Sequence, residues 1–335
     1  MPLRHNVELT RVPNLFDKRL LIFSGKGGAG KSTVAAAAAV AAARRGKRVL
    51  LVEIGEHERI PSIFGSPNAG YAGACVYTGR TPGSAPIWSM CLTAREALHE
   101  FAIRSMKFER IYAAVFENRA MRYFTAAAPG LDELTIMGKI EYLLRGSLDP
   151  SKTAATKFDL MVFDAPATGH ALALFNVPRT AMNMTRVGPL HSKAERIWRL
   201  LADPARTALN IVTLPEEMPV NEAIDLHEAA EKMGIPCGRV VVNGVHPDFF
   251  PDEHDHLRLL REQAALSVGL AARLARAALD RAVSSVARRE AHEEMIETLA
   301  KRLPQERIIL PLLFRPRIGP EEVEALADRL EGFAE

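Results

Sequence analysis

The stretch SGKGGAGKST, residues 24–33, constrains the fold more than any other part of the chain. It satisfies G-x-x-x-x-G-K-[ST] at every required position from Gly25 to Ser32. Such a loop holds phosphates when a buried strand leads into it and a helix begins at its end. Free backbone amides and the helix N-terminus then supply the positive potential that binds the anion. The motif therefore requires a strand, a loop and a helix in this order.

The sequence on both sides of the loop provides that unit. The apolar run KRLLIF at residues 18–23 is typical of a strand buried on both faces. Residues 32–45 are rich in alanine and lack Gly and Pro, which predicts a helix that ends at Gly46. The run RVLLVE at 48–53 predicts the next strand. A complete β-loop-α-β unit thus surrounds the motif.

The rest of the chain continues the alternation of strands and helices. Further strands are predicted at residues 87–92, 158–163, 209–214, 239–243 and 307–313. Helices are predicted from 93, at 131–144, at 221–233, within 256–303 and from 320 onward. Residues 65–86 are predicted to form a loop or lid, and 188–210 a second mobile segment. This order predicts an α/β fold with a doubly wound, mostly parallel sheet in one domain, residues 18–335.

Composition excludes several other classes of protein. Three cysteines without a C-x-x-C pair make a disulfide framework unexpected. The longest apolar run, residues 34–43, is about half a membrane span, so no integral membrane segment is expected. The net charge is only +3, and acidic residues dilute the arginines of 258–289, so no nucleic-acid partner is expected. We expect a cytoplasmic chain.

The loop also predicts a nucleoside triphosphate and Mg²⁺ as ligands. Lys31 is expected to contact the β- and γ-phosphates, and Ser32 to ligate Mg²⁺. The remaining members of the predicted cradle are Gly25, Lys26, Gly27, Gly28, Ala29, Gly30 and Thr33.

A second motif, DAPATGH, follows the predicted strand 158–163. Its Asp164 lies where a phosphate-loop hydrolase carries its Mg²⁺ carboxylate, although an acid that begins an ordinary turn is the alternative. Pro166 and Gly169 form a stiff and then flexible segment, which suits a switch that senses the γ-phosphate.

These motifs together resemble a known class of ATPases. GKGGAGKST is similar to the deviant phosphate loop, with an early signature lysine, of nitrogenase iron protein and the MinD and ParA partitioning ATPases. DAPATGH resembles the D-T-A-P-T-G-H switch II of the arsenite-pump ATPase ArsA and of the ATPase that delivers tail-anchored membrane proteins. APGLDEL, residues 128–134, resembles the P-G-hydrophobic-D-E segment of that family. Asn243 falls where the family's asparagine reads adenine. The resemblance implies a Mg²⁺-ATP-dependent switch ATPase.

The resemblance also gives the second lysine of the loop a role. In that class the signature lysine, here Lys26, reaches the phosphates bound by the other subunit, as an arginine finger does. The implied assembly is a dimer, of this chain with itself or with a sister chain. The alternative is that Lys26 is a solvated loop lysine.

The resemblance is weakest at switch I. Gly55 stands where the family has the aspartate that positions the attacking water. Glu53 and Glu56 flank that position and are the candidate substitutes. The expected consequence is slow hydrolysis, or a subunit that binds ATP while a partner cleaves it. His57 and His170 are interpreted as loop residues rather than catalytic bases.

Residues 93–145 are predicted to be a helical insertion. In the targeting branch of the family, helices at this place form an apolar groove for a client's transmembrane helix. The residues available for such a groove are Phe101, Met106, Phe108, Ile111, Tyr112, Val115, Phe116, Met121 and Phe124. The alternative is that this face packs on the sheet. A ParA- or MinD-like positioning ATPase and a small-molecule ligase or kinase of the same class remain alternative functions.

Overall fold

The fold is an eight-stranded sheet covered by helices on both faces. The computed structural model describes residues 14–106, 130–146, 157–185, 187–251, 253–265 and 269–331. The strands are β1 (Leu20–Gly25), β2 (Val49–Ile54), β3 (Ala74–Tyr77), β4 (Ile87–Leu92), β5 (Leu160–Ala167), β6 (Thr207–Thr213), β7 (Cys237–Val245) and β8 (Arg307–Pro311). They follow the order β3-β4-β2-β5-β1-β6-β7-β8.

A short 3₁₀ helix, Leu15–Asp17, precedes β1. The α-helices are α1 (Lys31–Arg44), α2 (Ile60–Ile63), α3 (Ala94–Met106), α4 (Leu131–Gly146), α5 (Thr168–Met184), α6 (Pro189–Leu201), α7 (Glu217–Met233), α8 (His254–Ala265), α9 (Leu270–Arg302) and α10 (Pro320–Glu331). None of the described helices is long and apolar enough to cross a membrane.

The sheet is parallel apart from one edge strand. β1 lies between β5 and β6 and pairs in parallel with both. All six residues of β1 are buried, as the continuous apolar run predicts for a strand covered on both faces. Only β3 is antiparallel to its neighbour, β4. The prediction of a doubly wound, mostly parallel sheet is confirmed.

The two faces of the sheet carry separate hydrophobic cores. On one face α1 lies between the sheet and α10, and all ten residues from Val34 to Ala43 are buried. Alanine suits this position because its small side chain lets a helix approach both neighbours closely, and it has the highest helix propensity. The other core contains α4, α5, α6 and α7.

Most predicted elements are present within a few residues of the expected bounds. β4 has the predicted bounds, and Thr93 caps α3 by accepting from the amide of Glu96 at 3.2 Å. The prediction of a loop over residues 65–86 is wrong at Ala74–Tyr77, which form β3. This strand has only four residues at the sheet edge, so it needs no long apolar run.

Two further predictions need correction. Residues 188–210, interpreted as a mobile segment, form α6 and the first half of β6. The apolar side chains of α6, including Ile197 and Leu201, are fully buried in the second core. Asp164 does not end its strand, because β5 continues to Ala167, and Gly169 lies in the first turn of α5 rather than in a loop.

The predicted helical insertion is described only in part. α4 places Leu134, Met137 and Ile140 in the second core, as the interpretation of a face packed on the sheet requires. The groove residues Phe108, Ile111, Tyr112, Val115, Phe116, Met121 and Phe124 lie outside the described residues, as does the side chain of Met106. A subdomain at 93–145 and an apolar groove therefore stay predictions.

Candidate functional site

The phosphate loop turns tightly between β1 and α1, at the carboxyl edge of the sheet. Gly25 has φ +147°, and a Cβ atom there would lie 1.9 Å from the carbonyl oxygen of Val212. Gly30 has φ +85°, and its Cβ atom would lie 2.3 Å from Nδ2 of Asn243. Both positions therefore need glycine for backbone conformation and for space. The loop is braced against β6 and β7 rather than free.

The inner side of the loop is suited to an anion. Among the described residues, the amides of Gly27, Gly28 and Gly30 donate no hydrogen bond. A Cβ atom at Gly27 or Gly28 would meet nothing within 4 Å, so space for a ligand lies beside these amides. α1 begins at Lys31 without a side-chain cap on its first amides. Unpaired amides at a helix N-terminus form a phosphate cradle.

The two lysines of the loop have different partners. Nζ of Lys31 donates to the carbonyl oxygen of Lys26 at 3.1 Å. Burial lowers the pKa of Lys31, while the nearby carboxylate of Asp164 opposes that shift. Nζ of Lys26 instead forms an ion pair with Oε1 of Glu222 on α7, at 2.6 Å. Lys26 therefore has an ionic partner within its own chain, contrary to the interpretation of a solvated lysine.

Ser32 and Asp164 meet at the base of the loop. The Ser32 hydroxyl donates to Oδ2 of Asp164 at 2.6 Å. The second carboxylate oxygen, Oδ1, is buried and has no hydrogen-bond partner among the described residues. Burial raises the pKa of Asp164, with the Ser32 hydroxyl and Lys31 acting against it. A hydroxyl and a carboxylate oxygen are hard ligands of the kind that Mg²⁺ prefers. A Mg²⁺ ion bound here would give the unpaired Oδ1 of Asp164 a partner.

Switch I offers two carboxylates in different surroundings. Glu53 is buried at the end of β2, where it pairs in register with Asp164 of β5. Its two oxygens accept from the amides of Arg59, at 2.9 Å, and Ile60, at 3.2 Å. Burial raises the pKa of Glu53 to about 7 despite these amides. Glu56 is exposed, as is its neighbour His57, so only Glu53 lies in the interior of this edge.

Switch II passes from β5 into α5 at the same edge. The carbonyl oxygen of Pro166 accepts from the Ser24 hydroxyl at 2.9 Å, which ties the segment to the start of the phosphate loop. Oγ1 of Thr168 is buried and, within the described part of the chain, has no hydrogen-bond partner. Gly169 and His170 are exposed. Thr168 is a polar site residue that the sequence reasoning did not single out.

Asn243 and an aromatic cluster lie beside the loop at the ends of β7 and β8. Nδ2 of Asn243 donates to the carbonyl oxygen of Ala29 at 2.9 Å. Beyond it, the ring of His246 contacts the rings of Phe249 and Phe314, each at a centroid distance of 5.6 Å. Phe249 and Phe314 remain 54% and 62% exposed and border a cavity of about 650 Å³. Sequence reasoning missed this cluster, although both phenylalanines closely follow predicted strands.

The cysteines do not form a soft-metal site. Cys75 is exposed on β3, Cys91 is buried on β4 and Cys237 lies on β7. Burial raises the pKa of Cys91 to about 12 and that of Cys237 to about 12. Among the described residues, no group of three or more His, Cys, Asp or Glu side chains is placed to hold a metal ion.

The described space between α3, α4 and α6 has a mixed lining. A cavity of about 180 Å³ there is bordered by the rings of Phe101 and Tyr142 and by six charged side chains, which are Glu100, Lys139, Glu141, Arg145, Lys193 and Arg196. Lys139 pairs with Glu100 at 2.5 Å. The ammonium group of Lys193 lies 3.6 Å from the ring centroid of Phe101, the groove residue whose side chain is described. Charged and aromatic side chains thus lie together in the described part of the insertion.

The chain is similar to known ATPases. The profile of the anion-transporting ATPase family matches residues 18–191 and 184–267. ATPase BagA of Mycobacterium tuberculosis is 33% identical over 232 residues, which cover 67% of this chain and 64% of the relative. The arsenical pump-driving ATPase of Acidiphilium multivorum is 26% identical over 270 residues, 74% of this chain and 43% of the relative. The chain thus spans less than two thirds of the length of these relatives.

Proposed function

This chain belongs to the anion-transporting ATPase family, and from that premise we propose that it is a Mg²⁺-dependent ATPase that works as a nucleotide-switched dimer. The observation that carries the proposal is the pair formed by Ser32 and Asp164 beneath a cradle of unpaired amides. This arrangement brings a metal site and an anion site together at one sheet edge.

Different residues at this sheet edge would bind different parts of the nucleotide. The amides of Gly27, Gly28 and Gly30 would bind the phosphate oxygens, with Lys31 neutralising their charge. Mg²⁺ would be held by Ser32 and Asp164, and the bound metal would stabilise the charge that develops on the transferred phosphoryl group.

The base would lie toward the ends of β7 and β8. Asn243 is tied to Ala29 through its amide nitrogen, so its amide oxygen is the atom available to the adenine amino group. The half-exposed ring of Phe314 offers an apolar surface for the base beside it.

Glu53 is the better candidate of the two switch I carboxylates. Its burial and its register with Asp164 support a place near the terminal phosphate, which exposed Glu56 lacks. Backbone amides at the start of α2 hold both oxygens of Glu53, so movement of α2 would reposition this carboxylate relative to the attacking water. Hydrolysis would then be slow until the switch closes.

Lys26 would act across the dimer. In the single chain it is paired with Glu222, and in the closed dimer it would contact the phosphates bound by the partner. ATP closes the dimer in this scheme and hydrolysis reopens it. The cycle would drive the handling of a hydrophobic client or a partner protein through the helical insertion, residues 93–145.

A small-molecule kinase or ligase of the same class is the second candidate. The charged cavity between α3, α4 and α6 favours it, because that cavity suits a small polar ligand better than an apolar helix. The two functions differ in one measurement. The switch ATPase hydrolyses ATP without an added acceptor, whereas a kinase or ligase needs its acceptor.

Two lysine substitutions test the proposed mechanism. Lys26→Ala should retain ATP binding and lose turnover by roughly a thousandfold or more, the range for a charge supplied in trans. Lys31→Ala should weaken both. Lys301→Ala, an exposed lysine at the end of α9, is the matched control and should change neither. Phosphate release and binding of a fluorescent ATP analogue are measured for each variant, and normal turnover of Lys26→Ala would refute the trans role.

A further inference from the structure

The ion pair of Lys26 joins two distant parts of the chain. Its carboxylate comes from Glu222, in the second turn of α7, 196 residues away in the sequence. The two side chains remain 25% and 37% exposed, so the pair is close to solvent and can separate. A lysine that must act on another subunit is thus held in its own chain by a contact that is weak enough to break.

Glu222 is held in place by the helix that carries it. Its neighbours Val220, Ala223 and Ile224 are buried against the sheet. α7 follows β6, and β6 contacts the phosphate loop through Val212, whose carbonyl oxygen faces Gly25. The backbone of Glu222 therefore has a defined position relative to the loop, and the partly exposed side chains of Glu222 and Lys26 can separate.

Glu222 also acts on the other lysine of the loop. Its negative charge raises the pKa of Lys31, against the larger effect of burial. One carboxylate therefore interacts with both cations of a loop built to bind phosphate. In the absence of nucleotide, Glu222 supplies part of the negative charge that a bound triphosphate would place beside the two lysines.

We propose that Glu222 is a positioning residue that holds Lys26 within its own chain and releases it to the partner's phosphates when the ATP-bound dimer forms. This inference rests on the proposed function, because it assumes that Lys26 acts across the dimer. The ion pair must break for Lys26 to reach the partner, so its strength opposes closure. Glu222 thereby sets the ATP and protein concentrations at which the dimer closes.

The first experiment tests the ion pair without nucleotide and without catalysis. Lysine acetylation by dilute acetic anhydride is followed residue by residue by mass spectrometry on the full chain. Glu222→Gln should raise the acetylation rate of Lys26 about two- to fivefold, the range expected for an ion pair of this exposure. Asp225→Asn makes the same charge change at an exposed position three residues further along α7 and should leave the rate unchanged.

The second experiment measures ATP-driven self-association by sedimentation velocity at several protein concentrations. Glu222→Gln should dimerise at a roughly four- to twenty-five-fold lower protein concentration than the natural chain, because each dimer breaks two ion pairs, and Asp225→Asn should match the natural chain. Glu222→Asp, which shortens the side chain by one methylene, should shift both measurements in the same direction. It is also the replacement if Glu222→Gln does not fold.

The outcomes separate the two proposals. If the natural chain does not associate with ATP but Glu222→Gln still exposes Lys26, the proposed dimeric function fails while the ion pair stands. If ATP drives association and Glu222→Gln leaves it unchanged or weakens it, the inference about Glu222 is overturned and the proposed function survives. An unchanged acetylation rate of Lys26 would also overturn the inference.

Discussion

Glu53 allows a test in which the sign of a stability change reverses with pH. The carboxylate is buried at the end of β2, and burial raises its pKa from 4.5 to about 7. Replacing it with glutamine removes the titration and keeps most of the shape. Two backbone amides, those of Arg59 and Ile60, donate to the two oxygens of Glu53. Glutamine has only one acceptor oxygen, so one of these amides loses its partner.

The magnitude follows from linkage between protonation and folding. The folded chain binds the proton of Glu53 more tightly than the unfolded chain, so stability falls as pH rises from 4.5 to 7. The whole pKa difference corresponds to roughly 3 kcal/mol at about 1.4 kcal/mol per tenfold change in affinity. Glu53→Gln avoids this cost but loses about 1 kcal/mol for the unpaired amide.

The expected result is therefore a crossover. At pH 4.5 the glutamine variant should be about 1 kcal/mol less stable than the natural chain, and at pH 8 about 1–2 kcal/mol more stable. Urea unfolding of the nucleotide-free proteins across this range measures the difference, in which the contributions of groups that do not interact with Glu53 cancel. Glu56→Gln changes an exposed carboxylate and should show no crossover.

Two results would refute the reasoning about Glu53. A stability difference that does not vary with pH would show that the carboxylate has an ordinary pKa in the folded chain. A variant that is less stable at every pH would show that the two amide hydrogen bonds outweigh the cost of burying the charge.

Three further predictions concern the rest of the site. Gly30→Ala should lower the free energy of unfolding by about 2 kcal/mol or more, because its Cβ atom meets Asn243. Gly46→Ala, with φ +77° and no contact within 4 Å, should cost only about 1 kcal/mol. Urea denaturation of both variants checks this, and equal losses would contradict it. Asp164→Asn should reduce the affinity for Mg²⁺ about ten- to a hundredfold, measured by Mg²⁺ titration of ATP binding, and unchanged Mg²⁺ dependence would remove Asp164 from the metal site. Phe314→Ala should weaken ATP binding by roughly 1 kcal/mol without changing the Mg²⁺ dependence, and calorimetry that finds equal affinity would exclude base stacking on this ring.

The parts of the fold that sequence reasoning predicted well depend on local signals. Continuous apolar runs identify β1, β2 and β4, because a parallel strand covered on both faces needs apolar side chains at every position. The alanine run identifies α1. β3 has no such signal, because an edge strand of four residues depends on its pairing with β4. His170 was interpreted as a loop residue but lies in the first turn of α5, because this helix begins after Ala167, which gives no capping signal in the sequence.

The site residues also divide into those indicated by local sequence patterns and those that depend on tertiary contacts. The sequence alone predicted the phosphate loop and its lysines, because a loop that holds phosphate with backbone amides needs a fixed spacing of glycines, lysine and hydroxyl. Asp164 was named because it follows a predicted apolar strand, and Asn243 because it falls at the position of the family's adenine-reading asparagine.

Tertiary structure alone decided the contacts between distant segments. The pairing of Lys26 with Glu222 and the contact of Phe249 with Phe314 join segments that are separate in the chain. The burial of Glu53 depends on the elements that surround it. No spacing rule predicts such contacts, because the direction and burial of a side chain depend on how the helices pack on the sheet. The charge state of the switch residues follows from that packing and not from their position in the sequence.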